Sequence, residues 1–234
     1  GCTGDKMDHH DTKNFELLDS LIKQGKIKTG TDNVFVDVGA CRGLYTWFLG
    51  MQLRGSGKIY SIEMHPEIYQ SLHDNLGHVT NVEVINAAIT DCNETVEYYE
   101  GSDEETHGLI MLHTSKNKVA GKIQGITLDT LLKDEKQISF IKIDVEGAEL
   151  KVLHGMKDTI KKSDVILLEN HNDEDWEEIR HILIKDNEFF CYNIEKTEQI
   201  TENSHRAYQC ICLRSPLFWN KEVDLYPTSN TVFG

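Results

Sequence analysis

The strongest constraint on this chain is an alternation of short β-branched runs with helical stretches, joined by Gly-containing turns. Val34-Phe35-Val36-Asp37-Val38 leads through a turn, Gly39 to Gly43, into a helical run from Leu44 to about Gln52. Lys58 to Glu63 reads as a second strand, and His65-Pro66 opens a helix to about Leu76, since proline suits a first helical turn. Val82 to Ile89 reads as a third strand. After an interruption the rhythm resumes with Phe140 to Asp144, a helix from Ala148 to about Ile160, a strand Val165 to Glu169 and a helix from about Asp175 to Lys185. Phe189 to Ile194 and Ala207 to Leu213 read as a closing hairpin. Such a chain folds as a doubly wound α/β domain. It predicts a mostly parallel, seven-stranded sheet with right-handed crossovers and a C-terminal antiparallel hairpin, binding ligands outside the strands' carboxyl ends.

The 234 residues fit one core of this kind. Residues 1–33 hold an amphipathic stretch (Phe15, Leu17, Leu18, Leu21, Ile22) that reads as a helical cap on the sheet edge. Residues 34–213 form the main domain, and 214–234 a tail without clear pattern. Residues 90–139 interrupt the alternation between strands three and four. An insertion of that size at the ligand edge reads as a lid or substrate region containing a short hairpin.

Composition narrows the partners. A formal net charge of -15 repels phosphate backbones, which argues against a nucleic-acid substrate. No run of about eighteen apolar residues exists to span a membrane. Gly1-Cys2-Thr3-Gly4 carries neither an initiator Met nor an apolar signal core. Six cysteines without CxxC spacing read as reduced thiols in a cytoplasmic setting, with Cys210 and Cys212 facing one side of a strand.

The chemistry sits at strand ends. Asp37 stands near the tip of the first strand, and Gly39 and Gly43 lie where the backbone turns close to a ligand. Glu63 ends the next strand, where a carboxylate can accept hydrogen bonds from ribose hydroxyls. The full GxGxxG pattern is absent, which favours a nucleoside cofactor without phosphates. Asp144 and Glu169 end two later strands and face the same crevice, with His171 two residues further on as a base for an alcohol's proton. Asp144, Glu169 and Asn170 also form an oxygen-ligand set suited to Mg²⁺ or another divalent cation. Glu146 reads as a site wall, and Glu149 as a helix-capping or packing residue.

Val36-Asp37-Val38-Gly39-Ala40, Gly43-Leu44-Tyr45-Thr46, Glu63-Met64-His65-Pro66 and Thr127-Leu128-Asp129 occur in order. They precede Ile141-Lys142-Ile143-Asp144-Val145-Glu146-Gly147-Ala148-Glu149 and Val152-Leu153-His154-Gly155. Together, over roughly residues 34 to 213, they resemble the FkbM family of methyltransferases. The resemblance implies a class I S-adenosylmethionine enzyme, methylating a hydroxyl of a glycan, lipid or small metabolite. It also implies that Asp37, Gly39, Ala40 and Gly43 line the methionine side of the cofactor, with Tyr45 and Thr46 at the helix start. Glu63, with Met64 beside it, takes the ribose, and Asn86, Ala87 and Ala88 edge the adenine. Cys41 stands where the family commonly has Asn. The competing readings are a dinucleotide-dependent oxidoreductase and a catalytically silent scaffold that keeps the fold.

Overall fold

The computed structural model describes residues 9–100, 110–111 and 119–217. The first half runs α1 (His9–Lys23), β1 (Val34–Val38), α2 (Leu44–Leu53), β2 (Lys58–Glu63), α3 (Pro66–Leu76) and β3 (Val82–Asn86). Next comes β4 (Ala88–Ile89), and the insertion contributes β5 (Thr95–Glu100), β6 (Ile110–Met111), β7 (Val119–Ile126) and the short α4 (Leu128–Leu131). The second half runs β8 (Phe140–Ile143), α5 (Glu149–His154), β9 (Val165–Glu169), α6 (Trp176–Arg180), β10 (Phe190–Asn193), β11 (Glu198–Gln199) and β12 (Gln209–Leu213).

The central sheet has the order β11-β10-β12-β9-β8-β1-β2-β3. Strands β9 through β3 are mutually parallel; β12 runs antiparallel to both of its neighbours, β9 and β10, so β10 again points the same way as the parallel strands. This is a class I methyltransferase-like α/β arrangement with a mostly parallel sheet. The strand count is eight rather than the expected seven, because the two-residue β11 adds an edge to β10. Both faces of the sheet are covered, as an internal parallel sheet requires. The alternation of β1 shows how: Val34, Val36 and Val38 enter one core with Val152, Trp176 and Ile179, while Phe35 enters the other with Leu18, Leu21, Leu49 and Phe140. Full burial of each such side chain contributes about 1.5–3 kcal/mol.

Several expectations change. The helix α1 covers a sheet face rather than an edge, its apolar stripe packing on β1, β2, β8 and β9 side chains. The third strand divides, and β4 leaves the central sheet for a second one of order β4-β7-β5-β6. The eight-residue β7 escaped notice because Gly121 and Gly125 blur its alternation; a Cβ at either would stand under 3.0 Å from a neighbour. The helix expected from Ala148 to about Ile160 stops at His154, and a 3₁₀ turn follows at Ile160–Lys162. A side chain at Gly155 would meet the Thr90 carbonyl oxygen at 2.1 Å, so the chain makes its close approach to the insertion there. The helix after β9 passes into a π-helical turn at His181–Asp186. Part of the insertion, residues 101–109 and 112–118, and most of the tail, 218–234, lie outside the described residues.

The cysteines also read differently. Antiparallel register places Cys191 of β10 opposite Cys212 of β12, and the two form a disulfide with Cα atoms 4.1 Å apart. Cys41 is disulfide-bonded as well, whereas Cys210 is a buried free thiol. This overturns the reading of Cys212 as a thiol and removes the support that cysteine usage gave to a reducing compartment. Among the described residues no helix is long and apolar enough to cross a membrane. Peptide mapping without reductant is expected to recover Cys191 and Cys212 in one linked species. Cys191→Ala with Cys212→Ala is expected to lower unfolding free energy by roughly 2–4 kcal/mol, the usual contribution of one such cross-link.

Candidate active site

The turn after β1 is fixed by backbone geometry that only glycine meets. Gly39 has φ 77° and Gly43 φ 89°. A Cβ on Gly39 would lie 1.8 Å from the Asp144 carbonyl oxygen, and one on Gly43 would strike Leu72 and Leu76 of α3. The loop therefore packs flat between the ends of β2 and β8. The Gly39 and Ala40 N–H groups both donate to the Ile62 carbonyl at 3.0 and 2.9 Å.

Glu63, buried at the end of β2, ties this loop to the next turn. Its Oε2 accepts from the Cys41 N–H at 2.9 Å and its Oε1 from the His65 N–H at 2.8 Å. Burial pushes its carboxyl up from the ordinary range, against the opposing pull of those two N–H groups. Each oxygen keeps a lone pair for a further donor. Asn86 at the end of β3 donates to the Glu63 and Met64 carbonyls at 2.9 and 3.1 Å, locking the neighbouring strand end. Ala87 and Ala88 are buried beside it.

Beneath the loop lies a polar layer. Asp37 is wholly buried; its Oδ2 accepts from Thr46 Oγ at 2.7 Å, and Thr46 meets Ser61 Oγ at 2.7 Å. The register of β1 on β8 sets Lys142 beside Asp37. The Lys142 ammonium stands 3.0 Å from Asp144 Oδ2 and 3.8 Å from Asp37 Oδ1, and donates to the Gly39 carbonyl at 3.3 Å. Burial works against its charge, yet the Asp144 and Asp37 carboxyls outweigh it and its pKa rises. Burial likewise raises Asp37, with Lys142 opposing. The Tyr45 side chain turns inward, its hydroxyl accepting from Asn14 of α1 at 2.8 Å and its ring lying 4.6 Å from Lys142 Nζ. Asp37, Tyr45 and Thr46 thus form the floor of the loop, while Gly39 to Gly43 and Glu63 form its upper surface.

The ends of β8 and β9 bring Asp144, Glu169 and His171 together: one ligand-type atom from each lies within 4.8 Å of the others. His171 Nδ1 stands 2.8 Å from Oε1 of the wholly buried Glu149. Around Nε2 stand Glu146 Oε2 at 3.3 Å, Tyr208 Oη at 3.4 Å, Glu169 Oε1 at 3.5 Å and Asp144 Oδ1 at 3.9 Å. Burial disfavours the imidazolium, but Glu149 and Glu169, with the charge of Glu146, raise the ring's pKa to about 10. For Glu169, burial is outweighed by His171, Tyr208 and Gln209, which lower its carboxyl to about 2. The Tyr208 hydroxyl donates to Glu169 Oε1 and Gln209 Nε2 to Oε2 at 2.9 Å.

Glu146 reaches this cluster through a strained turn. Its φ is 52° and that of Gly147 is 99°, a left-handed pair that costs about 1 kcal/mol or more at the non-glycine position. The same turn lets the Gly147 N–H donate to Glu149 Oε1 at 3.0 Å, so Glu149 ties down the turn before its helix and holds His171 at once. Asn170 lies elsewhere. Alternation along the extended chain sends it to the opposite side from Glu169 and His171. It is wholly buried there, and its Oδ1 accepts from the Asn172 N–H at 3.3 Å. Sequence reasoning missed Lys142 and Tyr208. A lysine in register with Asp37 inside an otherwise apolar strand was the available signal for the first; the second depends on pairing of β12 with β9 and left none.

A family model for the methyltransferase FkbM domain matches residues 37–191, more than half of the chain. Among solved structures, the chain resembles the methyltransferase FkbM from Methylobacillus flagellatus KT at 17% identity and a TM-score of 0.51. The likeness covers 82% of this chain but 46% of that one, so this chain spans about half the length of that relative. It also resembles a precorrin-6y C5,15-methyltransferase from Geobacter metallireducens GS-15, at 15% identity over 91% of this chain and 93% of that one, TM-score 0.48. A third is a putative rRNA methylase from Clostridium thermocellum, at 10% identity over 85% and 96%, TM-score 0.49. No curated protein matches the chain. With the Asp37 loop, Glu63 and the Lys142 to Glu149 segment all inside the matched region, the chain belongs to the FkbM family of S-adenosylmethionine-dependent methyltransferases.

Proposed function

We propose that this protein transfers the methyl group of S-adenosylmethionine to a hydroxyl oxygen of a glycan, lipid or small metabolite. The observation that carries the reading is the convergence of Asp144, Glu169 and His171 at adjacent strand ends, beside a glycine loop tied down by Glu63. The loop backbone, Gly39 to Gly43, would cradle the methionine moiety, and the spare lone pairs of Glu63 would take the ribose hydroxyls. Met64, Asn86, Ala87 and Ala88 would edge the adenine. Asp37, Tyr45 and Thr46 would act from below by holding the loop in shape.

In the transfer itself the acceptor oxygen attacks the methyl carbon and the carbon–sulfur bond breaks. Its electron pair returns to sulfur, turning the sulfonium into the neutral thioether of S-adenosylhomocysteine. The methyl group is already electrophilic, so the protein's task is in-line placement and removal of the hydroxyl proton. The Asp144, Glu169 and His171 cluster would meet that proton. Because its carboxyl neighbours raise the His171 ring's pKa to about 10, His171 would accept it only in the deprotonated form that grows as pH rises toward that value. The net charge of -15 supports an acceptor without a phosphate backbone.

The insertion, 90–139, would select the acceptor. Val96 of β5 and Ile123 of β7 pack against the buried pair Ala88 and Ala148, as do Met64 and Val145, which follow the ends of β2 and β8, so the second sheet adjoins the ligand edge. On this reading residues 1–33 cover the fold, 34–213 form the transferase domain and 214–234 are a tail.

Two outcomes test the reading. Calorimetric titration with S-adenosylhomocysteine is expected to show saturable binding that Glu63→Ala weakens about tenfold or more, since a hydrogen bond to a charged group contributes roughly 1.5–3 kcal/mol; equal affinity in both proteins would refute the ribose assignment. Replacing residues 101–115, of which only the two-residue strand β6 is among the described residues, by a short Gly-Ser link is expected to preserve that binding and abolish methyl transfer to hydroxylated acceptors. Loss of cooperative unfolding would make the segment part of the core instead.

A further inference from the structure

The geometry around His171 points to a divalent metal site formed by His171 Nε2 and the carboxyl oxygens of Asp144 and Glu169, oriented by Glu149. The inference deepens the proposed function and rests on it for the site's catalytic meaning. Glu149 is wholly buried, and the 2.8 Å contact from its Oε1 to His171 Nδ1 fixes which ring nitrogen carries a proton. A histidine held this way presents its other nitrogen as a ligand; a carboxylate behind a metal-bound imidazole is a recurrent arrangement.

That free nitrogen faces acceptors. The four oxygens around Nε2 stand at 3.3, 3.4, 3.5 and 3.9 Å, all longer than the roughly 2.7–2.9 Å of a charge-assisted hydrogen bond. The carboxyl oxygens that stabilise a proton on this nitrogen would equally stabilise a cation standing in that proton's place. With metal–ligand distances of about 2.1 Å, ligand atoms are separated by about 3.0 Å at adjacent corners of an octahedron and about 4.2 Å at opposite corners. The spacings from Nε2 to Glu169 and Asp144, 3.5 and 3.9 Å, fall between these values.

Two buried oxygens in the same cluster lack partners. Asp144 Oδ1 and Glu149 Oε2 accept no hydrogen bond, although both atoms are shielded from solvent. An unpaired carboxyl oxygen in the interior is costly, and a nearby cation offsets that cost. One imidazole with two carboxyl groups suits a cation of intermediate hardness, Mn²⁺ or Zn²⁺, more than Mg²⁺, which prefers an all-oxygen shell. The expected oxygen set of Asp144, Glu169 and Asn170 is thereby replaced by one that includes His171. Beside the acceptor, such a cation would lower the pKa of the reacting hydroxyl.

The probe is Mn²⁺ added to the full chain after chelator treatment, read by electron paramagnetic resonance. One high-affinity ion per chain is expected, with ¹⁴N modulation from a coordinated imidazole. His171→Ala should abolish the ¹⁴N modulation, and Glu149→Gln should weaken binding by 10- to 100-fold while keeping it, the range typical of a lost orienting partner. His181→Ala, on an exposed turn, should change nothing. Titration with S-adenosylhomocysteine runs in parallel to verify folding and the cofactor site. Mn²⁺ binding without ¹⁴N modulation, or binding unaffected by His171→Ala, overturns the inference. If this happens while S-adenosylhomocysteine still binds, the methyltransferase reading stands without the metal; loss of S-adenosylhomocysteine binding in the wild type refutes that reading by itself.

Discussion

Lys142 places an ammonium group between strand tips that otherwise present only carboxyl groups and a carbonyl oxygen. Asp37 and Asp144 end adjacent parallel strands, and both are held from within by this one cation, which also takes the Gly39 carbonyl. Without it, two carboxyl groups would share a water-poor crevice, and removing one partner of such a buried set typically costs 3–5 kcal/mol. The glycine loop, the floor made by Thr46 and Ser61, and the placement of Asp144 toward His171 all depend on that charge. The cofactor loop and the reaction centre are therefore one electrostatic unit rather than two neighbouring sites.

What the sequence made legible follows its periodicity. The parallel strands from Val34, Lys58, Phe140 and Val165 are rich in apolar and β-branched residues with an acidic residue at or next to the end, and helix α3 begins at Pro66 as its first-turn proline requires. The apolar segments that form β10 and β12 were readable from composition alone. Features that depend on tertiary contact were not. The strand β7 is disguised by two glycines whose purpose, close approach to Tyr98 and Glu94, exists only in the folded sheet. The shortened α5 reflects the contact of Gly155 with the insertion, and the Cys191–Cys212 pair depends on a register that spacing alone does not give.

The candidate site divides along the same line. Residues at strand tips, Asp37, Glu63, Asp144 and Glu169, were visible because strand ends are where open α/β sheets work. Asn170 seemed equivalent to Glu169 by adjacency, yet an extended backbone sends consecutive side chains to opposite sides, and His171 shares the crevice instead. Glu149 looked like an ordinary acidic residue in a first helical turn. Its burial and its hold on His171 show that one side chain can satisfy the helix start and aim an imidazole.

The link between β10 and β12 has a bearing on the crevice that distance along the chain conceals. Gln209 and Tyr208, which grip the Glu169 carboxyl, sit at the start of the strand whose far end carries Cys212. A slip of β12 by one position would turn Tyr208 away from Glu169, because side chains alternate between faces. The covalent bond three residues beyond Gln209 works as a ratchet pawl: it keeps β12 from advancing or retreating against its neighbours, and so keeps the tyrosine trained on its carboxyl group.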